Sequence, residues 1–353
     1  MATWTPFSHF RASDASERLA LLRAFIACAM NAHVLSAHAT TAPARCVTAV
    51  LGDAQGRLCV MGGREGLPRS LGSVNAGSII RFLGGCRGVV SREIPLPFAG
   101  PLNPAIAVTR DGSQLLVGSS DKIHVINVRS GDRVRVVGDH RAARWFKFVR
   151  DVFIAADDFV FVADSDSHHI RILTPSLDLY SLAGAGQLRY PDGVCADADV
   201  IAVSEYQKSR ISIIDRRLNA LMRRFGTLGN GAGQLLFPTA LRWMGGERGC
   251  LAVVEHGNNG ITVFGLNSGF IRYICVGSTR HALRSRRALR AQHIFGLCLV
   301  GENELVVCSD EGIRAFSAGG EQSCSLGLDG LRAVAMHQDT LYATTRTACL
   351  IIT

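Results

Sequence analysis

From Phe159 the chain reads FVFVADSDSHHIRIL: an apolar run, a short polar interruption, then a second run in which apolar and polar residues alternate. That is the pattern of a β-hairpin with one strand buried on both faces and the next half-buried. The pattern returns as RLCVMGG from Arg57, QLLVGSSDKIHVI from Gln114, VIAVSEYQKSRISII from Val200, CLAVVEHGNNGITVF from Cys250, ELVVCSDEGIRAF from Glu304 and TLYATTRTACLII from Thr340. The anchors Val60, Val117, Val162, Val203, Val253, Val307 and Ala343 are spaced by 57, 45, 41, 50, 54 and 36 residues. A period of ~40 to 50 residues with no helical pattern inside it predicts an all-β chain of four-stranded propeller blades. Seven anchors predict seven blades, with six as the alternative because the Val60 segment is the weakest.

The other strands of each unit fall into place around the hairpins. PAIAVT (Pro104 to Thr109), DGVCAD (Asp192 to Asp197), ALRWMG (Ala240 to Gly245) and GLRAVAM (Gly330 to Met336) precede them as inner strands. DRVRVVG, LMRRFG and IRYICVG follow as outer strands ending at Gly138, Gly226 and Gly277. The last unit stops at Thr353 after three strands, so a fourth taken from the N-terminal side would close the ring. Two linkers are nearly the same phrase, AGQLRYP at Ala185 to Pro191 and AGQLLFP at Ala232 to Pro238. They are expected to carry the chain from one blade to the next, with glycine for a tight path, proline at the strand entrance, and leucine and the aromatic filling the gap between blades.

Composition adds less. With 48% hydrophobic residues among 353 the chain can bury a large core. The longest apolar run near the N-terminus, Leu19 to Met30, is interrupted by Arg23 and is too short to span a membrane. Asp14 and Glu17 with Leu19, Leu22, Ile26 and Met30 predict a helix there, within an extension of residues 1–45 ahead of a propeller at 46–353. A signal peptide ending near Ala37-His38-Ala39 is the alternative. The 11 cysteines form no C-x-x-C pair and sit mostly in apolar runs, which favours a reducing, cytoplasmic setting over zinc-binding modules.

The unit from Ala185 to Gly226 resembles the NHL repeat. Gly186, Gln187, Leu188, Pro191, Gly193 and Val194 match its opening, and Glu205, Arg210 and Ile211 match its acid and R-I positions. The preceding unit keeps Val162-Ala163-Asp164 but has His169 at the arginine position. The following one keeps Gly233, Gln234, Leu235, Pro238, Glu255 and Asn258 but has Gly260 there. The resemblance implies a β-propeller, usually of six blades, that serves as a scaffold for protein partners or, in some members, binds RNA.

The candidate chemistry fits binding better than catalysis. No phosphate loop or nucleophile elbow is present, and the 11 histidines show no H-x-H or H-E-x-x-H spacing, so no catalytic, metal or cofactor residues are assigned. A metal-dependent lyase or hydrolase assembled in the central channel is the weaker alternative, since histidines from separate blades leave no spacing signal. The acids Asp164, Glu205 and Glu255 end strands before tight turns and are expected to accept turn N–H groups or pair with arginine. Charge is uneven. Arg141, Arg144, Lys147 and Arg150 cluster after one outer strand, Arg280, Arg284, Arg286, Arg287 and Arg290 after another, and Lys208 and Arg210 lie in a hairpin turn. All these connections are expected on one rim, where a net charge of +9 would attract an acidic protein surface or RNA phosphates. Against RNA, the Ser278 to His293 segment contains no aromatic for base stacking, and 35 of the 38 basic residues are arginine, which reads as a compositional bias. The expected function is therefore a non-catalytic scaffold binding a protein partner through this rim, with RNA as the alternative.

Overall fold

The computed structural model describes strand backbones at 47–52, 58–63 and 69–74, and then residues 90–96, 105–138, 145–244, 249–276, 293–301, 304–309, 311–317 and 319–352. The chain divides into two compact units, 1–80 and 81–353. In the first, Val47–Gly52, Leu58–Gly63 and Arg69–Val74 pair as an antiparallel three-stranded sheet. The expected N-terminal helix lies outside the described residues.

The second unit is a β-propeller of four-stranded antiparallel blades. Blade 1 comprises Ile106–Val108, Gln114–Ser119, Lys122–Asn127 and Arg133–Val137. Blade 2 comprises Val149–Ile154, Val160–Asp164, His169–Leu173 and Leu179–Ala183, and blade 3 Pro191–Ala196, Val200–Glu205, Arg210–Asp215 and Leu221–Phe225. Blade 4 follows with Pro238–Met244, Cys250–Glu255, Gly260–Gly265 and Gly269–Cys275, and blade 5 with Ile294–Val300, Glu304–Ser309, Gly312–Phe316 and Gln322–Leu326. Blade 6 takes Ala333–His337, Thr340–Thr344 and Ala348–Ile352 from the C-terminus and its outer strand, Val90–Pro95, from the N-terminal side. Cys349 opposes Ile94 in that seam, and the Leu96 N–H donates to the Thr347 carbonyl at 2.7 Å.

The propeller thus has six blades, which corrects the anchor count of seven. The Val60 segment imitates a blade hairpin because it obeys the same local alternation, but it belongs to the three-stranded sheet of the first unit. The ring closes without it once the N-terminal strand completes blade 6.

Burial follows position in the blade. The first two strands of blade 3 are buried along their whole length, and its fourth is mostly exposed. Each of the six apolar clusters of the core draws on two neighbouring blades: Phe146 and Val162 of blade 2 pack with Val125 of blade 1, and Leu188 and Val194 of blade 3 with Ile170 of blade 2. No blade covers its own faces, so stacking supplies the burial that holds the ring. Among the described residues no helix is long and apolar enough to cross a membrane.

The cysteines of these strands behave as small hydrophobes. Burial pushes the thiols of Cys298, Cys308 and Cys349 up to about 12, whereas Cys275 is exposed. Brief iodoacetamide treatment of the folded protein is expected to modify Cys275 and to spare Cys298, Cys308 and Cys349. Peptide mass spectrometry reads the outcome, and equal labelling of Cys298 and Cys275 would contradict this packing.

Candidate functional site

In blades 2, 3 and 4 the second strand ends in an acid, Asp164, Glu205 and Glu255. The acid ending the second strand turns back to hold the segment that enters the first strand of the same blade. Asp164 Oδ1 accepts the N–H groups of Lys147 and Phe148 at 2.9 and 3.0 Å, Glu205 Oε2 that of Arg189 at 2.8 Å, and Glu255 Oε2 that of Leu236 at 2.9 Å. The other oxygen faces the third strand. There Glu205 meets Arg210 and Ser212 at 2.7 and 2.6 Å, and Glu255 meets Thr262. In blade 2 the partner is Arg171 at 3.0 Å, two residues beyond His169, the residue aligned with the repeat's arginine. These three acids are structural, as their turn positions predicted.

The repeated linkers behave as expected except for their aromatics. Gly186 and Gly233 take φ of +75° and +74°, conformations that cost other residues strain. Leu188 and Leu235 are fully buried between blades. The aromatics do not fill that gap. Tyr190 and Phe237 adopt positive φ and turn outward onto the rim, Tyr190 against His168 at 4.4 Å and Phe237 stacked on Tyr206 at 5.0 Å.

On the same rim the inner strands of all six blades surround a cavity of about 250 Å³. Two ion pairs cross it. Asp151 in blade 2 accepts from the Val194 N–H of blade 3 at 3.0 Å and from Arg242 Nη1 of blade 4, also at 3.0 Å. Burial works against the charge on Arg242, but Asp151 more than offsets it and keeps the guanidinium firmly protonated. Arg150 Nε lies 2.9 Å from Asp192 Oδ2, joining blades 2 and 3. Burial pushes the Asp192 carboxyl up while Arg150 pulls it back. Burial, and then the nearby Asp192, also pushes the Tyr206 phenol up, so it remains a hydrogen-bond donor at neutral pH.

Around the mouth runs an arc of neighbouring rings, some stacked and some tilted. Phe237 stacks on Tyr206, Tyr206 lies 6.4 Å from His256, His256 stacks on His293 at 4.5 Å, His293 lies 6.1 Å from Phe295, and the Arg332 guanidinium sits 4.4 Å over the Phe295 ring. Sequence reasoning missed this arc, because its members come from blade linkers and hairpin turns far apart in the chain. A faint signal was available in the aromatic or histidine placed just ahead of the inner strands of blades 2 to 5: Phe148, Tyr190, Phe237 and His293.

Of the basic residues expected on the rim, Lys147, Arg150, Lys208 and Arg210 are described. Lys147 and Lys208 are exposed, whereas Arg150 and Arg210 are each paired with a carboxylate. Arg141, Arg144, Arg280, Arg284, Arg286, Arg287 and Arg290 lie outside the described residues. Among the described residues no three of histidine, cysteine, aspartate and glutamate gather as a metal site.

No family model matches the chain, and no curated protein matches it in sequence. Solved structures do match in fold. A catalytically inactive virginiamycin B lyase from Staphylococcus aureus with quinupristin aligns at TM-score 0.50 and 18% identity, over 72% of this chain and 80% of that one. The WD40 repeats of RRP9 align at TM-score 0.53 and 14% identity, over 74% and 97%. U3-55K aligns at TM-score 0.52 and 14% identity, over 74% and 98%. At such identities the likeness is one of fold, a β-propeller shared by a lyase and by WD40 proteins.

Proposed function

We propose that this chain is an NHL-type β-propeller scaffold that binds a protein partner across the rim at the channel mouth. The observation that carries the reading is the arc from Phe237 through Tyr206, His256, His293 and Phe295 to Arg332. Aromatic and arginine side chains are the usual energetic anchors of protein interfaces, because they cover much area at little loss of rotamer freedom. Phe237 remains 37% exposed, so part of that apolar surface is available to a partner. Two features support the NHL assignment: the motif matches, and the acid of the motif performs the same strand-anchoring task in blades 2, 3 and 4. The WD40 neighbours are consistent with a scaffold.

The test is affinity capture with the full chain followed by cross-linking. A partner recovered reproducibly should cross-link near the arc and be lost at least tenfold when Tyr206 and Phe237 both become alanine. It should be retained when Leu218, an exposed residue in an outer turn, becomes serine. Equal capture by the arc variant would overturn the reading. Salt-sensitive RNA capture, lost when Arg284, Arg286 and Arg287 become glutamate, would replace it with RNA binding.

A further inference from the structure

We propose that a cavity between blades 1 and 2, on the face opposite the arc, binds a small organic cation, an amine carried on an apolar body. The inference goes beyond the scaffold reading and does not depend on it. The cavity has a volume of about 510 Å³, within the ~300 to 1,000 Å³ usual for small-molecule sites. It lies where the turns from first to second strand in blades 1 and 2 meet the turn from third to fourth strand in blade 2. Leu116, Ile154, Val160 and Leu177 give it an apolar floor that continues the core between the two blades. Burial on that floor supplies the affinity.

The residue that makes the floor is unusual. Leu177 has φ of +67°, a left-handed conformation that strains a leucine. The matching place, two residues ahead of the fourth strand, holds Gly131 in blade 1, Asn219 in blade 3 and Gly320 in blade 5, all residues that adopt positive φ readily. Blade 2 keeps a buried leucine there at the cost of strain, and turns it into the cavity wall. Strain retained at one of several matching turns points to a task beyond making the turn.

The rim selects the charge. Its ionised groups are Arg110, Asp111 and Asp158. Hydrogen bonds from the Thr109 and Ser113 hydroxyls, at 2.6 and 2.7 Å, hold the Asp111 carboxyl down to about 2, so it stays ionised. Arg110 Nε lies 4.0 Å from Asp158 Oδ1, and one negative charge is left over. The flanking charges cancel in pairs, Arg135 with Asp178 at 3.7 Å and Arg216 with Asp157 at 2.5 Å. On a chain of net charge +9 this basin is locally acidic, and a monocation completes it. Gln114 is half-buried in the same wall, and no group among the described residues hydrogen-bonds its side-chain amide, whose oxygen can accept from an ammonium. The cation has two natural sources, a free amine or a lysine beside an apolar residue on a docked peptide.

Isothermal titration of the full chain with 1-naphthylmethylamine and with the blocked dipeptide acetyl-Phe-Lys-amide separates these sources, with 1-naphthylmethanol and 1-naphthoate as controls. The amine, the peptide or both should bind at about 2 mM or tighter, the level ordinary for a ligand of this size. The alcohol should bind about threefold more weakly and the acid at least about fivefold, because attraction to half-exposed carboxylates is modest. Asp158→Asn, which suits the backbone at φ +64°, should erase the preference for amine over alcohol. Leu177→Asn copies the residue of blade 3 and should weaken amine and alcohol alike by about fivefold or more, while its unfolding temperature reports an intact fold. Equal binding of acid and amine, no binding of either cation, an unchanged preference in Asp158→Asn or wild-type affinity in Leu177→Asn would each overturn the inference. The variant with Tyr206 and Phe237 both replaced by alanine should bind the amine as the parent does, and loss of binding there would overturn it too. Partner capture on the arc is untouched by a failure on this face.

Discussion

Replacing Glu205 with methionine is expected to destabilise the propeller by about 3 kcal/mol, at the lower end of the cost of breaking a buried ion pair. The carboxylate is fully buried and holds Arg189, Arg210 and Ser212 at 2.8, 2.7 and 2.6 Å. Methionine fills the same length but accepts none of these hydrogen bonds. The Arg189 N–H loses its partner, and the linker entering blade 3 loses its anchor. Arg210 is partly exposed and can turn to water, which keeps the cost from rising further. For a domain of this size the change corresponds to a fall of roughly 6 to 12 °C in the unfolding midpoint. Calorimetry checks it, with Glu205→Gln as the milder variant. A fall of less than about 2 °C would mean that the acid does not anchor the linker entering its blade.

The second large effect is expected from Gly193→Ala. A Cβ built there would collide with the Thr239 carbonyl oxygen and lie 2.9 Å from Leu241 Cδ2, both on the inner strand of blade 4. The carbonyl has little freedom to retreat, because the Ser204 hydroxyl donates to it at 2.5 Å while accepting from the Gly193 N–H at 2.7 Å. One methyl therefore forces two blades apart, at about 3 kcal/mol, the upper part of the range for overpacked cores. Gly327→Ala, whose Cβ would meet nothing within 4 Å, is the control and should stay within about 0.5 kcal/mol. Urea unfolding of the two variants measures the difference. Similar midpoints would show that the blades can part at no cost.

Much of the fold was legible because a propeller repeats its local rules. Hairpin alternation, turn acids and blade linkers are each specified within about a dozen residues, so a period and its punctuation identify the architecture. The same locality produced the error in blade number. A hairpin written at Val60 looks like a blade whether or not other strands pack against it. Arg171 shows the limit at finer scale: the motif position held His169, but the side chain that reaches Asp164 is Arg171, two residues further along the same face of the strand.

The sequence by itself determined the all-β class, the four-stranded unit, the structural task of Asp164, Glu205 and Glu255, and the linker role of the repeated AGQL phrase. Only the tertiary structure decided that six blades close through Val90–Pro95. It also decided that the linker aromatics face the rim, and that Arg150, Asp192 and Thr239 share one cavity. The reason is sequence separation. Asp151 and Arg242 are 91 positions apart, and they meet because ring closure brings inner strands together at the axis. Hydrophobic burial between blades drives that closure, and no spacing along the chain records which polar residues it will gather.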